Sequence, residues 1–179
     1  RCIALVKSAP QIPVVVTQCD VCFVADGRTW RVPANKKLTT GIWDGAEILY
    51  EFLKDKISTS MCGIMFRTEK LRAKGGVPIE LPYAADIASW APLLLEGKAG
   101  LVNEACASLA MHSESQTTAF AIDVRVEDGH KIVGLIAGAA DKRVENLQLR
   151  QAIKIESERH FARRTVKMLS LYCRQGAGF

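Results

Sequence analysis

The spacing of apolar positions changes several times along the chain, and each change marks an element. Residues 2–8, "CIALVKS", carry a short helical pattern. Residues 12–33, "IPVVVTQCDVCFVADGRTWRVP", are rich in β-branched and aromatic types, with Asp26-Gly27 as a hairpin turn between two arms. In "TTGIWDGAEILYEFLKDK", Trp43, Ile48, Leu49 and Phe52 recur at helical spacing and predict a helix from about Asp44 to Lys54. "STSMCGIMFR" predicts a short strand containing Gly63, and "TEKLRAKGG" one or two helical turns stopped by Gly75-Gly76. "LPYAADIASW", residues 81–90, opens a second helix over about 84–96, closed by Gly97. "AGLVNEACASLAMH" predicts a strand from Leu101 through Met111. Beyond Thr117 the pattern is helical. Gly129, Gly134 and Gly138 loosen the first half, and a long polar helix is predicted from about Asp141 to Arg174.

This order predicts an α/β fold: a partial mixed sheet flanked by helices, with a helical C-terminal extension. Four or so strands are few for a free-standing open sheet, so the sheet reads as incomplete. The division expected is a body at 1–118 and the helical extension at 119–179. The 179 residues suffice for a domain with a real core, and 49% apolar with 24% charged residues excludes a disordered chain. No apolar run reaches the ~18 residues of a membrane span, and the N-terminal stretch lacks the pattern of a signal peptide. A chain that starts on Arg reads as trimmed from something longer, and the expected location is cytoplasmic or at the inner face of a membrane.

Charge and cysteines refine this picture. Net charge is +5, but residues 142–174 hold nine basic residues against Glu145, Glu156 and Glu158, leaving a near-neutral body with a basic helix. That excludes a general nucleic-acid binder. The apolar positions Val144, Leu147, Ile155, Val166, Leu169 and Cys173 form a modest stripe expected to pack that helix on the body. Six scattered cysteines suit reduced thiols rather than a disulfide framework. "CDVC" at 19–22 lacks a second ligand pair for zinc, and in a strand its two thiols face opposite ways, so they read as core residues.

Three segments carry chemistry when taken together: "CGIMFRTEKLRAKGG", "AADIASWAPLLLEGKAG" and "VNEACASLAMHSESQTT". In order and spacing they resemble the C-terminal half of the catalytic domain of inverting family-2 glycosyltransferases with the GT-A fold, over about residues 12–118. The resemblance implies transfer of a sugar from a nucleotide-sugar donor to a hydroxyl acceptor, assisted by a divalent metal (manganese or magnesium). By resemblance Asp86 holds the position of the general base, which deprotonates the attacking hydroxyl. Met61, Cys62 and Gly63 lie where the acceptor pocket is lined, and His112 where a histidine approaches the diphosphate and metal. The chain departs from the pattern at Ala85, where an acid is usual, and at Ala110, where an Arg is usual. It has no Asp-x-Asp metal motif and no Gln-x-x-Arg-Trp motif, so a processive polysaccharide synthase is not expected. The nucleotide-binding half is then expected upstream of Arg1. The 179 residues alone are expected to bind no metal, to be inactive, and to pair with another copy through the exposed sheet edge.

Other readings stand beside these. Asp86 is also a good helix N-cap. His112 alone reads as a surface or capping residue, Trp90, Leu93 and Leu94 as core, Gly63 as a close-approach or bulge position, and the basic helix as a solvated face. The chain could thus be a non-enzymatic module binding a small ligand or a partner, or a protein making peripheral membrane contact through its basic helix.

Overall fold

The computed structural model describes residues 1–112 and 120–174, with side chains except at 168 and 171–174. The Ser/Thr-rich run at 113–118, the expected boundary at 118/119 and the side chain of Cys173 lie outside the described residues. The fold is α/β. Helices α1 (Cys2–Ser8), α2 (Gly45–Leu53), α3 (Thr68–Ala73), α4 (Ala85–Leu94), α5 (Ile122–Arg143) and α6 (Leu147–Arg174) surround strands β1 (Val14–Phe23), β2 (Thr29–Trp30), β3 (Gly41–Asp44), β4 (Ile64–Phe66) and β5 (Lys98–Met111).

These five strands make one mixed sheet in the order β2-β1-β5-β3. The central pair, β1 and β5, is parallel, with Val16 opposite Leu101. Around it β3 pairs antiparallel with β5, and β2 and β4 share the outer edge of β1, β2 at its end and β4 at its start. Pleating sorts the Val run of β1. Val14 and Val16 face the main core beneath α2, α4, α5 and α6, while Val15 faces Ile12 and Val102 on the smaller face covered by α1. On that smaller face Gly100 sits where a Cβ would lie 3.0 Å from a Val15 methyl. Burial of Ile48, Leu49 and Phe52 from α2 and of Trp90, Leu93 and Leu94 from α4 contributes ~2 kcal/mol per side chain.

Asp44 caps α2, its Oδ1 accepting from the Ala46 amide at 2.9 Å. Immediately after it, Gly45 passes so close to the end of α4 that a Cβ there would lie 1.9 Å from the Leu94 carbonyl oxygen. Gly75, Gly76 and Gly97 adopt positive φ at the helix stops.

Several expected boundaries move. The "STSMCG" stretch is not strand: residues 61–63 form a single 3-10 turn before β4. The long C-terminal helix starts at Leu147 rather than Asp141, because α5 continues through Arg143 and Asn146 turns its Oδ1 to the Leu149 amide. Of the expected stripe, Val144, which lies just before α6, is buried in the main core, but the positions on α6 itself differ. Leu147 and Val166 are largely exposed, and the buried positions are Ile153, Ser157 and His160. Two of those are polar, so apolar periodicity could not reveal that face. Ile132, Ile136, Ala140, Val144 and Ile153 belong to the same core as the sheet.

Candidate functional site

A cleft of about 860 Å³ opens at the carboxyl ends of β1 and β5. Such ends are where open α/β sheets present loops and helix N-termini to ligands. Val21 and Phe23 of β1, Leu109 and Met111 of β5 and Trp30 of β2 form one side. Tyr83, Asp86, Ile87 and Trp90, the stretch 58–62, Arg125, and Phe161, Arg164 and Thr165 complete it. The lining is thus mostly apolar and aromatic, with one carboxylate and two guanidinium groups, the usual make-up of a small-molecule site.

Asp86 stands on the wall of this cleft, and it is not the helix cap. The residue at the cap position is Ala84, which has no side chain to offer. The capping carboxylate arrives from another helix: Asp128 of α5, 2% exposed, accepts from the amides of Tyr83 at 2.8 Å and Ala84 at 3.2 Å. With those donors satisfied, Asp86 takes the amide of Ile87 on its Oδ1 at 2.7 Å and is otherwise turned to the cleft. Burial raises its pKa above the ordinary 3.8, against the opposing pull of the Ile87 amide and the positive charge of Arg164. A half-buried carboxylate with raised proton affinity at a helix N-terminus is equipped to accept a proton from a bound hydroxyl.

Met61 and Cys62 reach the same cleft, because the middle of β1 holds their loop. Between Thr17 and Cys19 the register of β1 against β5 shifts. There the Cys19 amide donates to the Ser58 carbonyl at 2.7 Å, and the Ser58 amide donates to Gln18 Oε1 at 2.9 Å. Gly63 is buried behind this turn, where a Cβ would lie 2.4 Å from Cys19 Sγ. Its role is the close approach, and it is not among the lining residues. Of the two "CDVC" thiols expected in the core, Cys19 is buried and Cys22 half-buried; Cys62 and Cys106 are exposed. His112 is exposed just past the end of β5, one residue beyond Met111, and outside the cleft. The divalent cation implied by the resemblance wants several oxygen ligands. Among the described residues no three His, Cys, Asp or Glu side chains gather as a metal centre, and Asp86 and His112 do not share a wall. The described residues do not fit a complete metal site, and no step is drawn through one.

The sequence did not single out Asp128, Arg125, Arg164 or the aromatic walls. Arg125 donates through Nε to the Phe120 carbonyl at 3.0 Å and lies 5.2 Å from the centre of the Tyr83 ring. Arg164 sits on a helix whose charges look alike in sequence; only the packing of α6 brings it to the cleft. Tyr83 was the accessible signal, three residues before Asp86 and therefore on the same side of the chain as it enters α4.

Comparison with protein-family models, with curated proteins and with solved structures returned no match to this chain. Among the described residues no helix is long and apolar enough to cross a membrane.

Proposed function

We propose that this chain is the acceptor-side part of an inverting glycosyltransferase. It would hold a hydroxyl acceptor in the cleft at the ends of β1 and β5 and deprotonate it with Asp86. One observation carries the reading: Asp86, the carboxylate that by resemblance holds the position of the base, stands on the wall of a mostly apolar cleft and is raised in proton affinity by burial. Met61 and Cys62 on the adjoining wall suit the acceptor contacts that the resemblance implies. The aromatic side chains offer broad apolar surfaces for an acceptor ring. On this reading the nucleotide-sugar and its divalent metal are held by a nucleotide-binding half outside these 179 residues.

In the full-length protein, assayed with a panel of nucleotide-sugars for transfer or donor hydrolysis, Asp86→Asn is expected to lower transfer by ~10²–10⁴-fold, the usual worth of a general base. The variant should unfold as cooperatively as the parent protein. Turnover within a few-fold of the parent's would remove Asp86 from the chemistry, and no turnover of any donor by the parent would remove the glycosyltransferase reading.

A further inference from the structure

We propose that Cys62 and Cys19 form a thiol oxidation site in the wall of the cleft, with peroxides as the substrate class. The two sulfurs are 3.8 Å apart although 43 residues separate them in the chain. Their setting makes this contact a consequence of the fold. Cys19 is buried on β1, where the Ser58 carbonyl holds its amide, and Cys62 is exposed on the 3-10 turn 61–63 that faces the cleft. Ser60 Oγ lies between them, 3.0 Å from Cys62 Sγ and 3.7 Å from Cys19 Sγ. Gly63 makes the approach possible, since any side chain there would occupy the position of the Cys19 sulfur. Cys22, the other thiol of "CDVC", is 3.5 Å from Thr29 Oγ1 on the hairpin.

The division of labour follows from access. An oxidant entering the cleft meets Cys62 first. The Cys62 thiolate attacks one peroxide oxygen, the O–O bond breaks, and the departing alkoxide or hydroxide leaves as alcohol or water with the proton of the thiol. Cys62 is then a sulfenic acid. The Cys19 sulfur attacks Cys62 Sγ, an S–S bond forms and the S–O bond breaks. The hydroxide leaves as water with the Cys19 proton. Two thiols have lost two electrons, and the peroxide has gained them. Burial raises the pKa of Cys19 and keeps it from being the thiol that meets the oxidant first; the amide and hydroxyl of Ser60 act in the opposite direction and support the thiolate that resolves Cys62. Closing the bond shortens the sulfur separation to ~2.05 Å and draws the Met61–Gly63 turn against β1. The wall that holds Met61 and Cys62 therefore moves with the oxidation state.

The test is peroxide treatment followed by digestion with trypsin without reductant and mass spectrometry. Tryptic cleavage leaves Cys19 and Cys22 together in 8–28 and Cys62 in 57–67, so the experiment is run on the Cys22→Ser protein as well as on the native chain. The expected result in both is a linked pair of these peptides, lighter by two hydrogens than their sum and lost on reduction. Cys62→Ser, an exposed change that leaves folding intact, should abolish the link. Oxidation of Cys62 to its sulfinic acid with no link in the Cys22→Ser protein would overturn the proposal, as would a link that requires Cys22 or ends on Cys106.

Discussion

Asp86 illustrates how one carboxylate is reserved for a cleft. At the start of α4 the orphan amides need an acceptor, and an aspartate within the first turn is the obvious local source. Asp128 takes the Tyr83 and Ala84 amides from a distance, and the charge on Asp86 has the Ile87 amide and the nearby Arg164 to set against its burial, which outweighs both. A carboxyl whose folded pKa lies above its unfolded value binds its proton more tightly when folded. Stability therefore falls as pH rises through the window that starts near 3.8, and it stays lower above that window. Asp86→Asn keeps an oxygen for the Ile87 amide and removes the charge. Its melting temperature is expected to exceed that of the native chain at pH 7, with the gap closing as pH falls toward 3.8. A lower melting temperature at pH 7 would mean that the ionised carboxylate holds the helix together after all.

Among the helices, α6 acts as a clamp on α2. The last carbonyls of a helix lack intrahelical partners. Leu53 O, at the end of α2, accepts from Arg163 Nη2 at 2.6 Å and lies 3.1 Å from His160 Nδ1. Asp55, at φ 58, turns the chain there and pairs with both Arg163 and His160. His160 is 0% exposed and lies between Phe52 and Phe161 in tilted and edge-on contacts, and since the Leu53 carbonyl can only accept, the neutral ring donates to it through Nδ1. Desolvation, aided by the charge of Arg164, lowers its pKa from 6.5 to about 4. The unfolded chain takes up the proton first as pH falls, so this contribution is complete above pH 6.5 and is lost progressively down to pH 4. The full loss is of order 3 kcal/mol. Unfolding measured against pH should show that slope in the native chain and a flatter one in His160→Asn. A His160 proton resonance titrating near its ordinary value would contradict the burial that causes the shift.

On the scale of the molecule, the two C-terminal helices are part of the main core, and several of their basic groups are engaged within the fold. Arg143 meets Glu96, Lys154 meets Asp141, Arg159 and Arg163 meet Glu156, and Arg150 donates to the Val144 carbonyl. A helix whose basic groups are paired in this way offers less attraction to an anionic surface than its net charge suggests. The apolar groups of α5 and α6 close the same core as β1, α2 and α4. A chain cut at 118 would expose Ile48, Leu49, Phe52 and Trp90 to water, at ~2 kcal/mol per side chain, which exceeds what a domain of this size can lose. Residues 1–118 are expected to show no cooperative thermal transition by circular dichroism while the 179-residue chain shows one, and a sharp transition in the shorter chain would make the helices an appendage.

What the sequence determined by itself was local. The Val run and its turn, the helix of Ile48, Leu49 and Phe52, and the glycine stops at 75, 76 and 97 were legible because period and backbone freedom are properties of neighbours along the chain. Asp86 and the turn at 61–63 could be singled out by residue type and spacing, and both reach one cleft. Long-range packing decided the rest. That Asp128 meets the Tyr83 and Ala84 amides where the chain enters α4, that Cys19 meets Cys62, and that α6 turns His160 inward all depend on contacts more than 40 residues apart. Ser157 and His160 break the apolar pattern, yet both are buried: His160 Nδ1 meets the Leu53 carbonyl across the interface with α2, and Ser157 donates to the Lys154 carbonyl of its own helix. Hydropathy read along a chain reports which side chains avoid water. It does not report that the distant Leu53 carbonyl will meet His160 and Arg163, contacts that go with the orientation of α6 in which Arg164 lines the cleft.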